Sequence, residues 1–237
     1  MTFLKYFILS IIIYPYFLFA QSDFKTFLQN GNDLHDAGDF KGAIKSYNNV
    51  IKIDANNLEA LYYRANAYFD DREYKKAIID YSSVIRIDEK YIDAYYNRAN
   101  ANYELNEFDK AIIDFNRTLE LDDSYFDSYF DRGNAYYKVG NFDKAIHDLK
   151  TGLEHSKDYA DGYYDLGNSY FMKMQYDDAI EQFNMAIDLV NDIDDYYFNR
   201  ALAKFNNNME LEGCIDLEKA LELGDTEAAE YLKEFCK

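Results

Sequence analysis

The sequence of 237 residues has no tryptophan, one proline, two cysteines and three histidines. The single proline is Pro15, so nothing beyond it interrupts a helix by lacking a backbone N–H, and a loop-rich body is excluded. His35, His147 and His155 show no metal-ligand spacing, and no glycine-rich phosphate loop, nucleophile elbow or zinc motif occurs. Carboxylates are abundant without forming a recognisable catalytic pair, so the chain is read as non-enzymatic and without a cofactor. Basic residues are also scarce, 25 Lys plus Arg against 44 Asp plus Glu. Such a surface repels phosphate backbones, which argues against nucleic acid and favours basic peptides or proteins. The simpler reading of the acidity is solubility. What is present is apolar and aromatic: 49% hydrophobic residues, with 25 Tyr and 18 Phe, too much for a disordered chain.

The first twenty residues differ from the rest. Lys5 supplies a short positive segment, Tyr6 to Phe19 is nearly all apolar, and Ala20 offers a small residue before Gln21 and Ser22. This layout predicts a secretory signal over 1–20, cleaved after Ala20, followed by a short leader at 21–23. The apolar stretch is short for a membrane span and carries Pro15; the alternative is an uncleaved anchor. No later segment is long enough to span a membrane, so the mature chain is expected to be periplasmic or secreted.

From residue 24 the chain repeats every 34 residues without a gap, in windows 24–57, 58–91, 92–125, 126–159, 160–193 and 194–227. Each window reads as two helices. The first carries a large residue at its fourth position (Phe27, Leu61, Tyr95, Tyr129, Tyr163, Tyr197) and a small one four residues later (Gly31, Ala65, Ala99, Gly133, Gly167, Ala201). That spacing places both on one helical face, and the small residue lets a second helix approach. The second helix follows an aromatic near position 17 and carries Ala43, Ala77, Ala111, Ala145, Ala179 or Gly213 at position 20. Between the two, Gly38, Asn106, Gly140 and Asn208 suit a left-handed helix stop; Arg72 and Met174 fill the same slot less comfortably. Residues 228–237 predict one more amphipathic helix, a cap for the open end.

These positions resemble the tetratricopeptide repeat over 24–227. Departures are the absence of the family's usual Trp at position 4 and of its frequent Pro near position 32; Glu210 stands where window six should have its aromatic. The resemblance implies an all-α fold, a right-handed αα-superhelix of the tetratricopeptide solenoid type, with first helices lining a concave groove at positions 2, 5, 6, 9, 12 and 13.

In that groove position 9 is Asn32, Asn66, Asn100, Asn134 and Asn168. Amides there would grip the backbone of an extended ligand, or are simply common in the family. Positions 5 and 12 are largely aromatic, including Tyr62, Tyr96, Phe130 and Tyr164, then Tyr103, Tyr137 and Phe171. Position 2 is acidic in five windows: Glu59, Asp93, Asp127, Asp161 and Asp195. The Lys and Arg clamp with which tetratricopeptide co-chaperones hold acidic peptide ends is missing. Aromatic faces with carboxylates suit basic or aromatic peptides; glycans are the rival ligand class. The expected function is an exported protein or peptide interaction scaffold. The alternatives are a glycan-binding or cell-surface assembly protein and a regulatory subunit of an exported enzyme.

Position 7 is Arg64, Arg98, Arg132 and Arg200 in four windows, and position 23 of those same windows is Asp80, Asp114, Asp148 and Asp216. Windows one and five lack both, having Asn30 with Ser46 and Leu166 with Gln182. Arg and Asp therefore come and go together, which predicts a structural ion pair between the two helices of a window. His155, in a slot that is Ile or Leu elsewhere, is read as a core variant. Cys214 and Cys236, on the last second helix and the capping helix, are expected to form a disulfide in an exported protein, the alternative being two buried thiols.

Overall fold

The computed structural model describes residues 24–236; the expected signal and leader, 1–23, lie outside the described residues. Among the described residues there are thirteen helices and no strand. The chain divides after Lys110 into two compact units. The first holds α1 (24–36), α2 (Phe40–Ile53), α3 (Leu58–Asp70), α4 (Tyr74–Ile87) and α5 (Ile92–Glu104). The division falls in the first turn of α6 (Phe108–Leu121). The second unit continues with α7 (Asp127–Lys138), α8 (Phe142–His155), α9 (Ala160–Met172), α10 (Tyr176–Leu189), α11 (Asp194–Asn206), α12 (Glu210–Leu223) and α13 (Ala228–Phe235).

One turn is used six times. Each first helix ends at a residue with positive φ: Gly38, Arg72, Asn106, Gly140, Met174 and Asn208. The N–H that follows reaches back five residues, as from Asp39 to the Leu34 carbonyl and from Gln175 to the Tyr170 carbonyl. This closes the helix by the Schellman pattern and aims the chain into the second helix. Arg72 and Met174 hold the same left-handed conformation at a cost of about 1–2 kcal/mol, because their Cβ crowds the carbonyl. Side-chain caps reinforce some starts: Asn57 accepts from the Ala60 N–H at 2.9 Å, and Asp39 from that of Gly42.

Packing within each unit follows the small–large pattern. The position-20 alanines Ala43, Ala77, Ala111, Ala145 and Ala179 are fully buried, and Tyr47, Tyr81, Leu149, Phe183 and Leu217 at position 24 fill the space between the two helices of a pair. Gly167 shows why the facing residue must be small. A Cβ there would lie 2.6 Å from the Phe183 ring. Consecutive helices are packed neighbours, α2 through α5 in the first unit and α7 through α13 in the second, and alternate first helices also touch: α3 with α5, α7 with α9, α9 with α11. Both units therefore have the all-α helix-pair architecture of the repeat. His155 is not a core variant: it is exposed and stacks on the Phe126 ring at 3.9 Å, because its slot lies at the solvent edge, where Ile53, Ile87 and Leu189 are also exposed.

Candidate functional site

The first helices present the candidate binding face, and it can be read outward from the protein's own hydrogen bonds. In the first unit the Asn66 side-chain oxygen accepts from the Tyr81 hydroxyl at 2.7 Å and from Asn97 at 3.4 Å. Asn97 also donates to the Tyr62 hydroxyl at 2.9 Å. Asn32 accepts from Tyr47 at 2.8 Å. The second unit repeats the arrangement: Asn199 donates to the Tyr164 hydroxyl at 2.6 Å and to the Asn168 oxygen at 3.1 Å. Asn134 donates to Asp165 at 2.9 Å. Four of the five position-9 amides are thus engaged in bonds that tie a first helix to its own second helix or to the next first helix. Asn100 is half-buried, as are Tyr96 and Tyr103. The partner that sequence reasoning did not single out is position 6 of the following window, Asn97, Asp165 or Asn199; its signal was polarity on a helix flank lined by tyrosine.

The aromatics are also committed to the fold. Tyr62 packs on Tyr91 at 5.0 Å, and Tyr164 on Tyr196 at 5.1 Å. Phe130 is a correction to the expected groove: it is only 6% exposed. Its ring fills the slot left by Gly152 and Gly162, either of whose added Cβ would lie within 2.8 Å of it. The position-12 rings meet the position-17 rings of their own windows edge-on: Phe69 with Tyr74, Tyr103 with Phe108, Tyr137 with Phe142, Phe171 with Tyr176. They brace the turn and show one edge outward. Left in solvent on the first helices are the position-2 carboxylates, Glu59 and Asp93 in the first unit and Asp127, Asp161 and Asp195 in the second, all exposed.

One carboxylate is shifted further than the others. Asp165 is held at about 6 because burial penalises its charge and Asp161 and Asp131 add repulsion, against the opposing hydrogen bond from Asn134 and the charge of Lys138. Neighbouring Asp161 accepts a hydrogen bond from the Tyr196 hydroxyl, which burial has already pushed far above the usual phenol range. Among the described residues, no group of His, Cys, Asp and Glu is placed to hold a metal ion.

The position-7 arginines lie between helices. Arg64 donates from Nε and one terminal nitrogen to the two oxygens of Asp80, at 2.6 and 2.7 Å. Arg132 does the same to Asp148, and Arg200 to Asp216, which also meets Lys204 at 2.7 Å. Arg98 belongs to the first unit and Asp114 to the second; their pairing stays an expectation from the repeat. Burial works against the charge on Arg64 and Arg132, but the bonds and charge of Asp80 and Asp148 outweigh it and hold both above the ordinary guanidinium value. The remaining guanidinium nitrogen reaches the second helix of the preceding window: Arg64 to Asn48 at 2.5 Å, Arg98 to Ser82 at 2.9 Å, Arg132 to Asn116 at 2.8 Å, Arg200 to Asn184 at 2.6 Å. Where the next window has no arginine, that position is Lys150. In window one Asn30 donates to Ser46 at 2.6 Å, a shorter polar substitute. Arg64, Arg132 and Arg200 thus each join three helices.

At the C-terminal end, the Cys214 and Cys236 side chains meet in disulfide-bonding position, with Cα atoms 5.7 Å apart. Tyr231 packs edge-on against Phe198 at 5.2 Å, and Phe235 lies tilted against Phe205 at 5.5 Å.

Comparison with known proteins agrees with this geometry. The TPR repeat model matches residues 31–72, 65–106 and 133–173, and the tetratricopeptide repeat model 92–125 and 160–190. Window six lies outside these matches, although α11 and α12 form its helix pair. No protein of curated function matches the sequence. A crystal structure of MamA is similar at 30% identity with a TM-score of 0.65, over 67% of this chain and 93% of that one. The C-terminal part of a TPR repeat-containing protein from Cytophaga hutchinsonii matches at 20% identity and TM-score 0.73, over 87% and 83%. YrrB, described as a TPR protein with an unusual peptide-binding site, matches at 17% and 0.70, over 79% and 97%. With repeat matches covering more than half of its residues, the chain belongs to the tetratricopeptide repeat family.

Proposed function

We propose that this protein is an interaction scaffold that takes an extended protein or peptide segment along its first-helix faces, with lysine, arginine and aromatic side chains preferred. The observation that carries the reading is the periodic row of exposed position-2 carboxylates, set beside half-buried tyrosines such as Tyr62 and Tyr164. Along the second unit, a ligand repeating at the spacing of the helices would meet Asp127, Asp161 and Asp195 and the ring edges of Tyr137, Phe171 and Phe205, through ion-pair and cation–π contacts. The peptide-binding site named for YrrB supports the ligand class. Because Asn32, Asn66, Asn134 and Asn168 are spent on internal bonds, they set the spacing of the face, and the carboxylates and ring edges provide the contact. The scaffold has no chemistry of its own. Export belongs to the same proposal and rests on the signal-like residues 1–20 and on the paired cysteines; N-terminal sequencing of protein from cell fractions tests it, with Gln21 as the expected first residue.

Probing a peptide array and a glycan array with residues 21–237 tests the ligand class. Binding to basic, aromatic-containing peptides, weakened about tenfold by 0.5 M salt and by the triple variant Asp127→Asn, Asp161→Asn, Asp195→Asn, is the expected result. Salt-insensitive glycan binding with no peptide signal would replace this reading by the glycan one.

A further inference from the structure

The C-terminal helix is built differently from the other helices of the second unit. α13 has eight residues, below the roughly 12–15 that an isolated helix needs in water, and only Ala228 on it is buried. Phe235 remains 49% exposed. A cavity of about 430 Å3 opens between α13 and the last helix pair, lined by Leu202, Phe205, Asn206, Glu210, Tyr231 and Phe235. The packing that holds α13 is therefore incomplete. Its two ends are fixed by other means. At the start, Gly224 turns the chain at φ +125, a conformation open to glycine, and its N–H and that of Asp225 bond back to the Ala220 carbonyl at 3.1 and 3.0 Å. Asp225 then receives the Glu227 and Ala228 N–H groups at 2.7 and 3.2 Å. At the far end Cys236 meets Cys214 on α12, and both side chains are part-exposed, within reach of a reductant.

We propose that α13 is a redox-latched lid: the bridge between Cys214 and Cys236 holds it shut, and reduction lets it swing about Gly224 to uncover Phe198, Leu202 and Phe205. These residues belong to α11, the first helix of the last pair, and correspond to the face that the next first helix covers within the array. The chemistry is thiol–disulfide exchange. A dithiol attacks one sulfur of the bridge as its thiolate and expels the other as a free cysteine, leaving a mixed disulfide; the reductant's second thiol then closes on its own sulfur and displaces the attacked cysteine. Two electrons and two protons pass to the cysteines, and the dithiol leaves as its own cyclic disulfide. The closed bridge spans a sequence separation of 22, so its loss returns that much chain freedom to the opened state. The lid does not depend on the peptide reading above.

Hydrogen–deuterium exchange read by mass spectrometry tests this on residues 21–237, air-oxidised, treated with dithiothreitol, and as the Cys214→Ser, Cys236→Ser double variant. The lid predicts that amides of α13 exchange at least about tenfold faster after reduction and in the variant, while those of α9 and α10 do not change. Equal protection of α13 in oxidised and reduced wild-type protein would overturn it. So would faster exchange spreading through α10, α11 and α12 together, which would make the bridge a support of the whole repeat, or two free thiols found in the air-oxidised protein.

Discussion

Windows four and five lie side by side in the second unit and solve the same packing problem in opposite ways. In window four, Arg132 joins Asp148 and Asn116 in a three-helix polar clip, with Asp148 only 2% exposed. In window five the equivalent residue is Leu166, 2% exposed, opposite Gln182, and the preceding window supplies Lys150, which lies over the Tyr170 ring at 5.3 Å. Both windows form the same helix pair. The site tolerates the Arg–Asp pair complete or absent, because what is costly is a buried charge left without its partner. The arginine clips are therefore architectural, and the comparison says which mixtures should fail.

The sharpest break is to mix the two solutions. Arg132→Leu alone leaves the Asp148 carboxylate buried and should cost about 3–5 kcal/mol in urea unfolding. Adding Asp148→Gln, which completes the window-five set, should recover most of that loss. A double variant as unstable as the single one would show that the guanidinium contributes something the Leu and Gln of window five cannot supply.

The same comparison marks what the sequence could and could not tell. The 34-residue period, the small–large spacing and the helix stop made the fold legible, because each is a local steric demand written into single positions, such as Gly167 facing Phe183. The association of position 7 with position 23 was legible as a joint presence of Arg and Asp. Its third member was not singled out, although Asn48, Ser82, Asn116 and Asn184 stand before every window with an arginine and Lys150 before the one without. That contact crosses to the preceding window, and comparing positions within windows hides it. The face was harder to read for a physical reason. Tyrosine and asparagine suit a ligand and a helix–helix seam equally well, and only geometry shows that Asn66 serves Tyr81 and Asn97, or that Phe130 is drawn into the gap at Gly152 and Gly162.

Asp165 sharpens the contrast through pH. Its folded value of about 6 lies above the ordinary 3.8. The folded state thus binds its proton more tightly than the unfolded state does. Stability from this group is gained as pH falls through 6 toward 4 and is absent above about 7. Asp165→Asn keeps an acceptor for Asn134 and removes the charge, so it should raise stability at pH 7.5 by on the order of 1 kcal/mol or more and do little at pH 4. Thermal unfolding at the two pH values checks this; equal effects at both would mean that the carboxylate is solvated. Smaller still is the third arm of the clip. Asn116→Ala should cost about 1 kcal/mol by removing one hydrogen bond, whereas Lys150→Ala in the exposed, arginine-free junction should cost under about 0.5 kcal/mol.

The claim that matters most is that the first-helix face is where a partner binds. A photo-activatable phenylalanine analogue placed at Asp127 or Lys138, exposed on α7, can be compared with the same residue at Glu181 or Ile215, exposed on α10 and α12. Irradiation of the full chain in its own cells should give a discrete cross-linked partner from the α7 positions and none from the other two. The same partner captured from Glu181 or Ile215 and not from α7 would place recognition on the second helices and contradict this account.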